Sequence, residues 1–179
     1  MIIKDKEFET LISERELQDI VRRLADKVSL DYAGRNPVIC PVLTGAFVFA
    51  ADLVRRLTVP CEMHFVCYTS YSGIRSTGEV HCSLPFSACV AGRDVLIVED
   101  VVDSGFSMQH VLQSLAAMHP ASVRVCTLLF KPHAFKGDFS VDYVGRNIAN
   151  EFVVGYGLDY DGYGRNLPEI LQATSAIAK

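Results

Sequence analysis

One segment of the chain passes directly from an apolar strand through acidic residues into a helix, and this order restricts the fold most. Residues 94–98 contain an apolar run with several β-branched members, which predicts a buried strand. Apolar residues then recur at helical spacing over 106–118, and a second apolar run over 122–130 predicts the next strand. A strand, helix and strand in succession favour a parallel sheet with helices on its faces.

The preceding part of the chain alternates in the same way. Ser13 and Glu16 form a capping box that begins a predicted helix ending near Tyr32. The remaining predicted elements before residue 94 are a strand over 37–43, a helix over 46–56, a strand over 61–68 and a return strand over 80–84. We therefore predict one α/β domain over 1–179, with its core at about 13–130 and a small hood of short strands and loops from the N-terminal and 131–179 segments.

The predicted start of the second helix is suited to a phosphate. Ser104, Gly105, Phe106 and Ser107 follow Asp103, and backbone N–H groups at such a helix start point into the loop. Glu99, Asp100 and Asp103 would repel a phosphate at close range, so their expected targets are hydroxyl groups, a divalent cation or a transferable proton. The pattern predicts a phosphorylated sugar as ligand, and an acidic turn with an N-cap is the alternative.

Two parts of the sequence resemble a known family. The run Val-Glu-Asp-Val-Val-Asp-Ser-Gly at 98–105 resembles the phosphoribosyl pyrophosphate signature of the type I phosphoribosyltransferases. Residues 141–145, 150–161 and 165–168 are similar to the C-terminal part of the hypoxanthine-guanine branch of that family. The resemblance implies the family's fold, Mg²⁺ as cofactor, and transfer of the 5-phosphoribosyl group from phosphoribosyl pyrophosphate to hypoxanthine or guanine, giving IMP or GMP and pyrophosphate.

The resemblance also implies roles for the signature residues. Asp103 would act as general base near the imidazole nitrogen of the purine, and the loop from Asp103 to Ser107 would hold the 5′-phosphate. Glu99 and Asp100 would bind the ribose hydroxyls and contribute to the magnesium site through water.

A second group of residues would bind the base. By resemblance, Lys131 would donate to the 6-oxo oxygen, Phe152 would stack on the purine, and the backbone beside Val153 would read its edge. Without the resemblance, Lys131 is a lysine at a strand end and Phe152 a core aromatic residue. A donor that faces a carbonyl is satisfied, whereas one that faces the 6-amino group of adenine is not, so Lys131 would also select against adenine.

The remaining implied roles concern the leaving group. Asp159 would bind the magnesium ion, Arg165 and the Thr44-Gly45 loop would contact pyrophosphate, and the polar stretch 68–79 would be a catalytic lid carrying Ser70 and Tyr71. We interpret that stretch as a loop too long for a tight hairpin.

Two positions depart from the family pattern. Thr44 stands where a basic residue is usual, next to a bond that is often a cis peptide in the family, here Leu43-Thr44. Arg146-Asn147 replaces a more apolar pair near the purine site, so the sequence leaves the preference among hypoxanthine, guanine and xanthine open.

Bulk properties limit the other possibilities. A formal net charge of −4 argues against nucleic-acid or membrane binding, and the absence of a signal-peptide-like apolar run predicts a cytoplasmic protein. The six cysteines form no Cys-x-x-Cys pair and are expected to be reduced, and the five histidines lack metal-ligand spacing. We expect a homodimer or homotetramer, and the rival hypothesis is a regulator that keeps the fold without catalysis.

Overall fold

The structure, a computed structural model, describes residues 1–72 and 75–174, and the side chains at positions 70–79 lie outside this description. The secondary-structure elements are β1 (Ile2–Ile3), β2 (Lys6–Ile12), α1 (Glu14–Asp31), β3 (Val38–Leu43), α2 (Phe47–Val54), β4 (Glu62–Met63), β5 (Val66–Ser72), β6 (Arg75–Leu84), a 3₁₀ turn (Ala88–Val90), β7 (Asp94–Val102), α3 (Phe106–Ala116), β8 (Ser122–Phe130), β9 (Tyr143–Asn147), β10 (Val153–Val154) and β11 (Ile170–Ala173).

The main sheet has the order β6-β5-β3-β7-β8-β9, with β4 paired to β3. All neighbouring strands are parallel except β5 and β6, so the predicted α/β class with a mainly parallel sheet is confirmed. Successive residues of a strand point to opposite faces, and Leu96 packs with α1 and α2 whereas Ile97 packs with α3. The sheet is therefore covered on both faces, as its almost continuously apolar central strands require.

A second, antiparallel sheet has the order β1-β2-β11-β10. Its own small core contains Phe8, Val154 and Leu171. This sheet corresponds to the predicted hood, and it joins the start of the described chain to its end. The segment after residue 131 is not all hood, however, because β9 pairs in parallel with β8 and extends the main sheet.

Two element predictions were wrong. The strand predicted over 94–98 extends as β7 to Val102, so Glu99 and Asp100 belong to the strand; the reason is that β8 continues to pair with it as far as Val102 and Phe130. The stretch 68–79 was predicted as a loop, but its described backbone forms a two-stranded antiparallel ribbon in which Ser72 pairs with Arg75.

Other features agree with the sequence. The capping box of Ser13 and Glu16 is present at the start of α1. All six cysteines are free. Within the described residues, none of the helices combines the length and apolar character that crossing a membrane requires.

Candidate active site

The predicted site residues follow three neighbouring parallel strands. Thr44 comes after β3, Asp103 after β7 and Lys131 after β8. Because parallel strands end at the same edge of a sheet, these side chains share the edge where open α/β sheets bind ligands.

Asp103 and Lys131 form an ion pair at this edge. The Lys131 Nζ donates to Oδ2 of Asp103 at 2.8 Å, and the Lys131 backbone N–H donates to the carbonyl oxygen of Val102 at 3.0 Å. Lys131 is only 8% exposed, whereas the Asp103 side chain is 35% exposed. A nearly buried ammonium is favourable only with such a partner, and the pair offers a cationic donor directly beside an anionic acceptor.

The loop after Asp103 leads into α3 through a glycine. Gly105 is the N-cap residue and has φ of +83°, a conformation that residues with a Cβ rarely adopt. The Ser104 hydroxyl accepts a hydrogen bond from the Phe106 N–H at 3.4 Å. The first turn of the helix therefore presents backbone N–H groups and the positive end of the helix dipole to this loop.

Two phenylalanines and a backbone hydrogen bond support this loop from outside. The N–H of Lys136 donates to the Ser104 carbonyl oxygen at 3.0 Å. A Cβ at Gly105 would lie 2.7 Å from the Phe135 ring and 3.2 Å from the Phe139 ring. Sequence reasoning missed both aromatic residues, because nothing in the spacing of the segment that follows Lys131 indicates that it folds back onto the loop.

Glu99 and Asp100 form a close carboxylate pair. Burial raises the pKa of Glu99 well above its ordinary value, and the charge of Asp100 raises it further. Burial also raises the pKa of Asp100, although its hydrogen bonds to Glu99 and to the Val101 N–H act in the opposite direction. The Val101 N–H bond is 2.7 Å long. Such a pair holds a proton readily, and a cation or hydroxyl donors would stabilise its charged form.

The turn after β3 packs directly against this pair. The Leu43-Thr44 bond is cis, as the resemblance implies. Thr44 is exposed, but Gly45 is pressed against Asp100 so closely that a Cβ there would overlap the carboxylate oxygen Oδ2. Only glycine fits between the turn and β7.

Asp159 and Arg165 lie in one segment, 156–165, which also contacts Gly45. Arg165 forms an ion pair with Oδ1 of Asp159 at 2.7 Å and donates to the carbonyl oxygen of Gly157 at 2.7 Å. A Cβ at Gly157 would overlap the carbonyl oxygen of Gly45. The structure therefore brings the two predicted leaving-group segments into contact.

Phe152 and Val153 lie in the hood. The Phe152 ring packs edge-on against Tyr160 with centroids 5.5 Å apart and stays partly exposed, and Val153 is buried in β10. The Arg146 guanidinium forms an ion pair with the Glu16 carboxylate of α1, with a nitrogen–oxygen distance of 3.6 Å. The side chains of Ser70 and Tyr71 lie outside the described residues, so their predicted contacts stay predictions.

Comparison with known proteins identifies the protein family to which the chain belongs. A family model described as a phosphoribosyl transferase domain matches residues 9–161. The chain belongs to the phosphoribosyltransferase family.

The relatives narrow the family to one branch. The chain is similar to the hypoxanthine-guanine phosphoribosyltransferase of Mycobacterium tuberculosis, with 40% identity over 167 residues, which cover 89% of this chain and 83% of that protein. A crystal structure of a hypoxanthine-guanine phosphoribosyltransferase from Bacillus anthracis has a TM-score of 0.87 and 36% identity, and the alignment covers 95% of this chain and 99% of that one.

A longer relative also matches. The bifunctional protein TilS/HprT of Listeria monocytogenes is 44% identical over 161 residues, which cover 89% of this chain but 25% of that protein. The chain thus spans about a quarter of the length of the bifunctional relatives it matches.

Proposed function

We propose that this protein is a purine salvage enzyme that transfers the 5-phosphoribosyl group from phosphoribosyl pyrophosphate to hypoxanthine or guanine, forming IMP or GMP and pyrophosphate. The observation that carries the proposal is the ion pair of Lys131 and Asp103 beside the loop of α3. On one edge of a 6-oxopurine, the carbonyl oxygen accepts a hydrogen bond and the neighbouring imidazole N–H donates one. A cationic donor next to an anionic acceptor is complementary to that edge.

The sugar substrate would bind along the same edge of the sheet. The 5′-phosphate would accept hydrogen bonds from the backbone between Asp103 and Ser107, where the helix dipole favours negative charge. Glu99 and Asp100 would accept hydrogen bonds from the ribose hydroxyls. In the hood, Phe152 would stack on the base, and the backbone at Val153 would contact the base edge.

The reaction exchanges one bond at the anomeric carbon for another. The bond between that carbon and the pyrophosphate oxygen breaks, and a bond to a purine imidazole nitrogen forms. The proton on the imidazole ring passes to the Asp103 carboxylate, and Lys131 stabilises the charge that develops on the 6-oxo oxygen. A lid that includes Ser70 and Tyr71 would exclude water from the oxocarbenium-like transition state.

The acidic residues of the site fit a magnesium ion. Magnesium prefers carboxylate, phosphate and water oxygens, and the crowded Glu99 and Asp100 pair supplies carboxylate oxygens whose charged form a cation would stabilise. Asp159 would bind the ion, while Glu99 and Asp100 would contribute through water. When bound, the ion offsets the charge of the leaving pyrophosphate. Thr44, Gly45 and Arg165 would contact the pyrophosphate itself.

The assembly and location follow the same proposal. Several large apolar side chains are exposed near the ends of β3 and β5, including Phe47 at 44% and Phe65 at 43%. We propose that such side chains are covered in a homodimer or homotetramer, which light scattering would detect as a mass of two or four chains. The net charge of −4 supports a cytoplasmic enzyme without a nucleic-acid partner.

An absorbance assay with magnesium and phosphoribosyl pyrophosphate tests the activity. Hypoxanthine, guanine, xanthine and adenine are offered separately. Turnover of hypoxanthine or guanine but not of adenine is expected. Nucleotide binding without turnover of any base would instead support a regulator that keeps the fold, and turnover of xanthine would extend the substrate range.

Replacing Lys131 with glutamine is expected to lower kcat/KM for hypoxanthine and guanine by about 100-fold, because a charged hydrogen bond to the 6-oxo oxygen is lost. The discrimination against adenine should shrink with it. Steady-state kinetics with each base measure both effects. Lys136→Gln is the control, since its side chain is exposed and only its backbone contacts the loop. An unchanged ratio between hypoxanthine and adenine would argue against this role.

Replacing Gly105 with valine is expected to raise KM for phosphoribosyl pyrophosphate at least about tenfold, because a β-branched residue disfavours φ of +83° and its Cβ would collide with Phe135. Gly92→Val is the control: Gly92 has φ of +65°, but no atom lies within 4 Å of a Cβ added there, so this variant carries the strain without the collision. If both variants keep the wild-type KM, the phosphate is not held by this loop.

A further inference from the structure

Tyr156 has an unusual backbone conformation and a buried hydroxyl. Its φ is +51°, a region that residues other than glycine seldom occupy, and the residue is only 3% exposed. The hydroxyl donates to Oδ2 of Asp52 at 2.6 Å. Burial and the Asp52 carboxylate both raise the pKa of Tyr156, so the hydroxyl keeps its proton and remains a donor. This hydrogen bond fixes the turn between β10 and Asp159 to a helix of the main domain.

Asp52 belongs to the helix that begins at the Thr44-Gly45 turn. The N–H of Phe47, the first residue of α2, donates to the Thr44 carbonyl oxygen at 3.3 Å. Gln18 of α1 also donates to Oδ2 of Asp52, at 3.2 Å. Asp52 is thus held in place from a second helix, and its position is linked to the turn through less than two turns of α2.

The residue after Tyr156 makes the other contact between the same two segments. Gly157 lies so close to the Gly45 carbonyl oxygen that no Cβ fits, and its own carbonyl oxygen accepts a hydrogen bond from Arg165 at 2.7 Å. The segment 156–165 therefore contacts the Thr44-Gly45 turn directly at Gly157, and through the Tyr156 side chain it contacts α2, the helix that follows this turn.

We infer that Tyr156 is a positioning residue for the pyrophosphate half of the site, acting through Asp52. The inference rests on the proposed function, in which Thr44 and Gly45 contact pyrophosphate from one side and Asp159 and Arg165 from the other. The Tyr156 hydroxyl sets the distance between these two segments and does not touch the substrate. Its loss should weaken binding of ligands that contain pyrophosphate and spare those that do not.

The test compares Tyr156→Phe with Tyr160→Phe. Tyr160 is a matched control, because it lies in the next turn of the same segment and is 6% exposed. Its hydroxyl donates to Asp5 of the N-terminal segment at 2.7 Å and not to a residue of α2. Calorimetry in magnesium buffer measures the affinities for phosphoribosyl pyrophosphate, pyrophosphate and IMP. We expect Tyr156→Phe to weaken the first two by about fivefold to tenfold and IMP by less than twofold, and Tyr160→Phe to change none of them.

A second pair of variants separates positioning from general destabilisation. Asp52→Ala should reproduce the pyrophosphate defect, the double variant should be no worse than either single one, and Asp52→Asn, which keeps an acceptor oxygen, should restore most of the affinity. Wild-type pyrophosphate affinity in Tyr156→Phe, or an equal loss for IMP, would overturn the inference. Failure of the proposed function would look different: wild-type protein would turn over no base, while the binding comparison could still be made.

Discussion

Replacing Asp103 with asparagine is expected to lower kcat by a factor of about 10² to 10⁴, the usual contribution of a general base. The amide keeps the shape of the side chain, and its oxygen can still accept the hydrogen bond that Lys131 donates at 2.8 Å. It cannot take up the proton of the imidazole ring. Because the loop after it is unchanged, KM for phosphoribosyl pyrophosphate should stay within about twofold of the wild-type value.

Single-turnover and steady-state kinetics measure this effect. Asp138→Asn is the control, since Asp138 is an exposed aspartate in the segment that follows Lys131. Asp138→Asn should melt at nearly the wild-type temperature, whereas Asp103→Asn should melt lower, because the nearly buried Lys131 ammonium loses its charged partner. Full turnover by Asp103→Asn would remove the general base from the mechanism and leave Asp103 as the partner that allows Lys131 to be buried.

Replacing Gly45 with alanine is expected to lower kcat/KM for phosphoribosyl pyrophosphate by about 100-fold, the usual cost of displacing a substrate-binding group by about 1 Å. The added methyl group would overlap Oδ2 of Asp100, so either the Thr44-Gly45 turn or the carboxylate must move. In the proposed reaction the turn contacts pyrophosphate and the carboxylate contacts the ribose. Movement of either one therefore disturbs the binding of phosphoribosyl pyrophosphate.

Gly34→Ala is the matched control for this substitution. Gly34 lies far from the site in the loop after α1, its φ is +75°, and no atom lies within 4 Å of an added Cβ. The Gly34→Ala variant should be less stable by about 1 kcal/mol, because alanine is strained at this positive φ. Its kinetic constants should equal those of the wild type. A Gly45→Ala enzyme with wild-type kcat/KM would show that the turn can shift without consequence, and it would remove the turn from the pyrophosphate site.

Much of the main domain follows from patterns that the sequence displays locally. The capping box at Ser13 and the apolar run at Val95 each depend on neighbours within a few residues, and both elements begin where they were predicted. The order of alternating elements was enough to predict a parallel sheet. That sheet then places the ends of β3, β7 and β8 together without further information.

The errors arise where pairing between distant segments determines the structure. The length of β7 depends on its partner β8, which pairs with it up to Phe130, and no local signal marks that limit. The stretch around Ser72 is rich in polar residues and was therefore predicted as a loop, but backbone pairing of β5 with β6 makes it a ribbon. Strand β9 likewise joins the main sheet through β8.

The residue types of the candidate site could be proposed from the sequence, but their contacts could not. The acids and the glycine were named from their spacing, and the lysine from the resemblance to the phosphoribosyltransferases. The support of the loop by Phe135 and Phe139, and the close approach of Gly45 to Asp100, depend on side chains that meet only after folding. No spacing rule connects residues so far apart in the chain unless the fold is known.

The two residues of the turn after β3, Thr44 and Gly45, also differ in whether they tolerate substitution. Thr44 is exposed, so a lysine or arginine can be introduced there without a steric conflict. A Cβ at Gly45 would overlap the Asp100 carboxylate, so its replacement would require an accommodating change at Asp100 or a shift of the turn itself. Substitution in this turn is therefore sterically open at its first position and constrained at its second, so laboratory evolution of pyrophosphate affinity can act at residue 44.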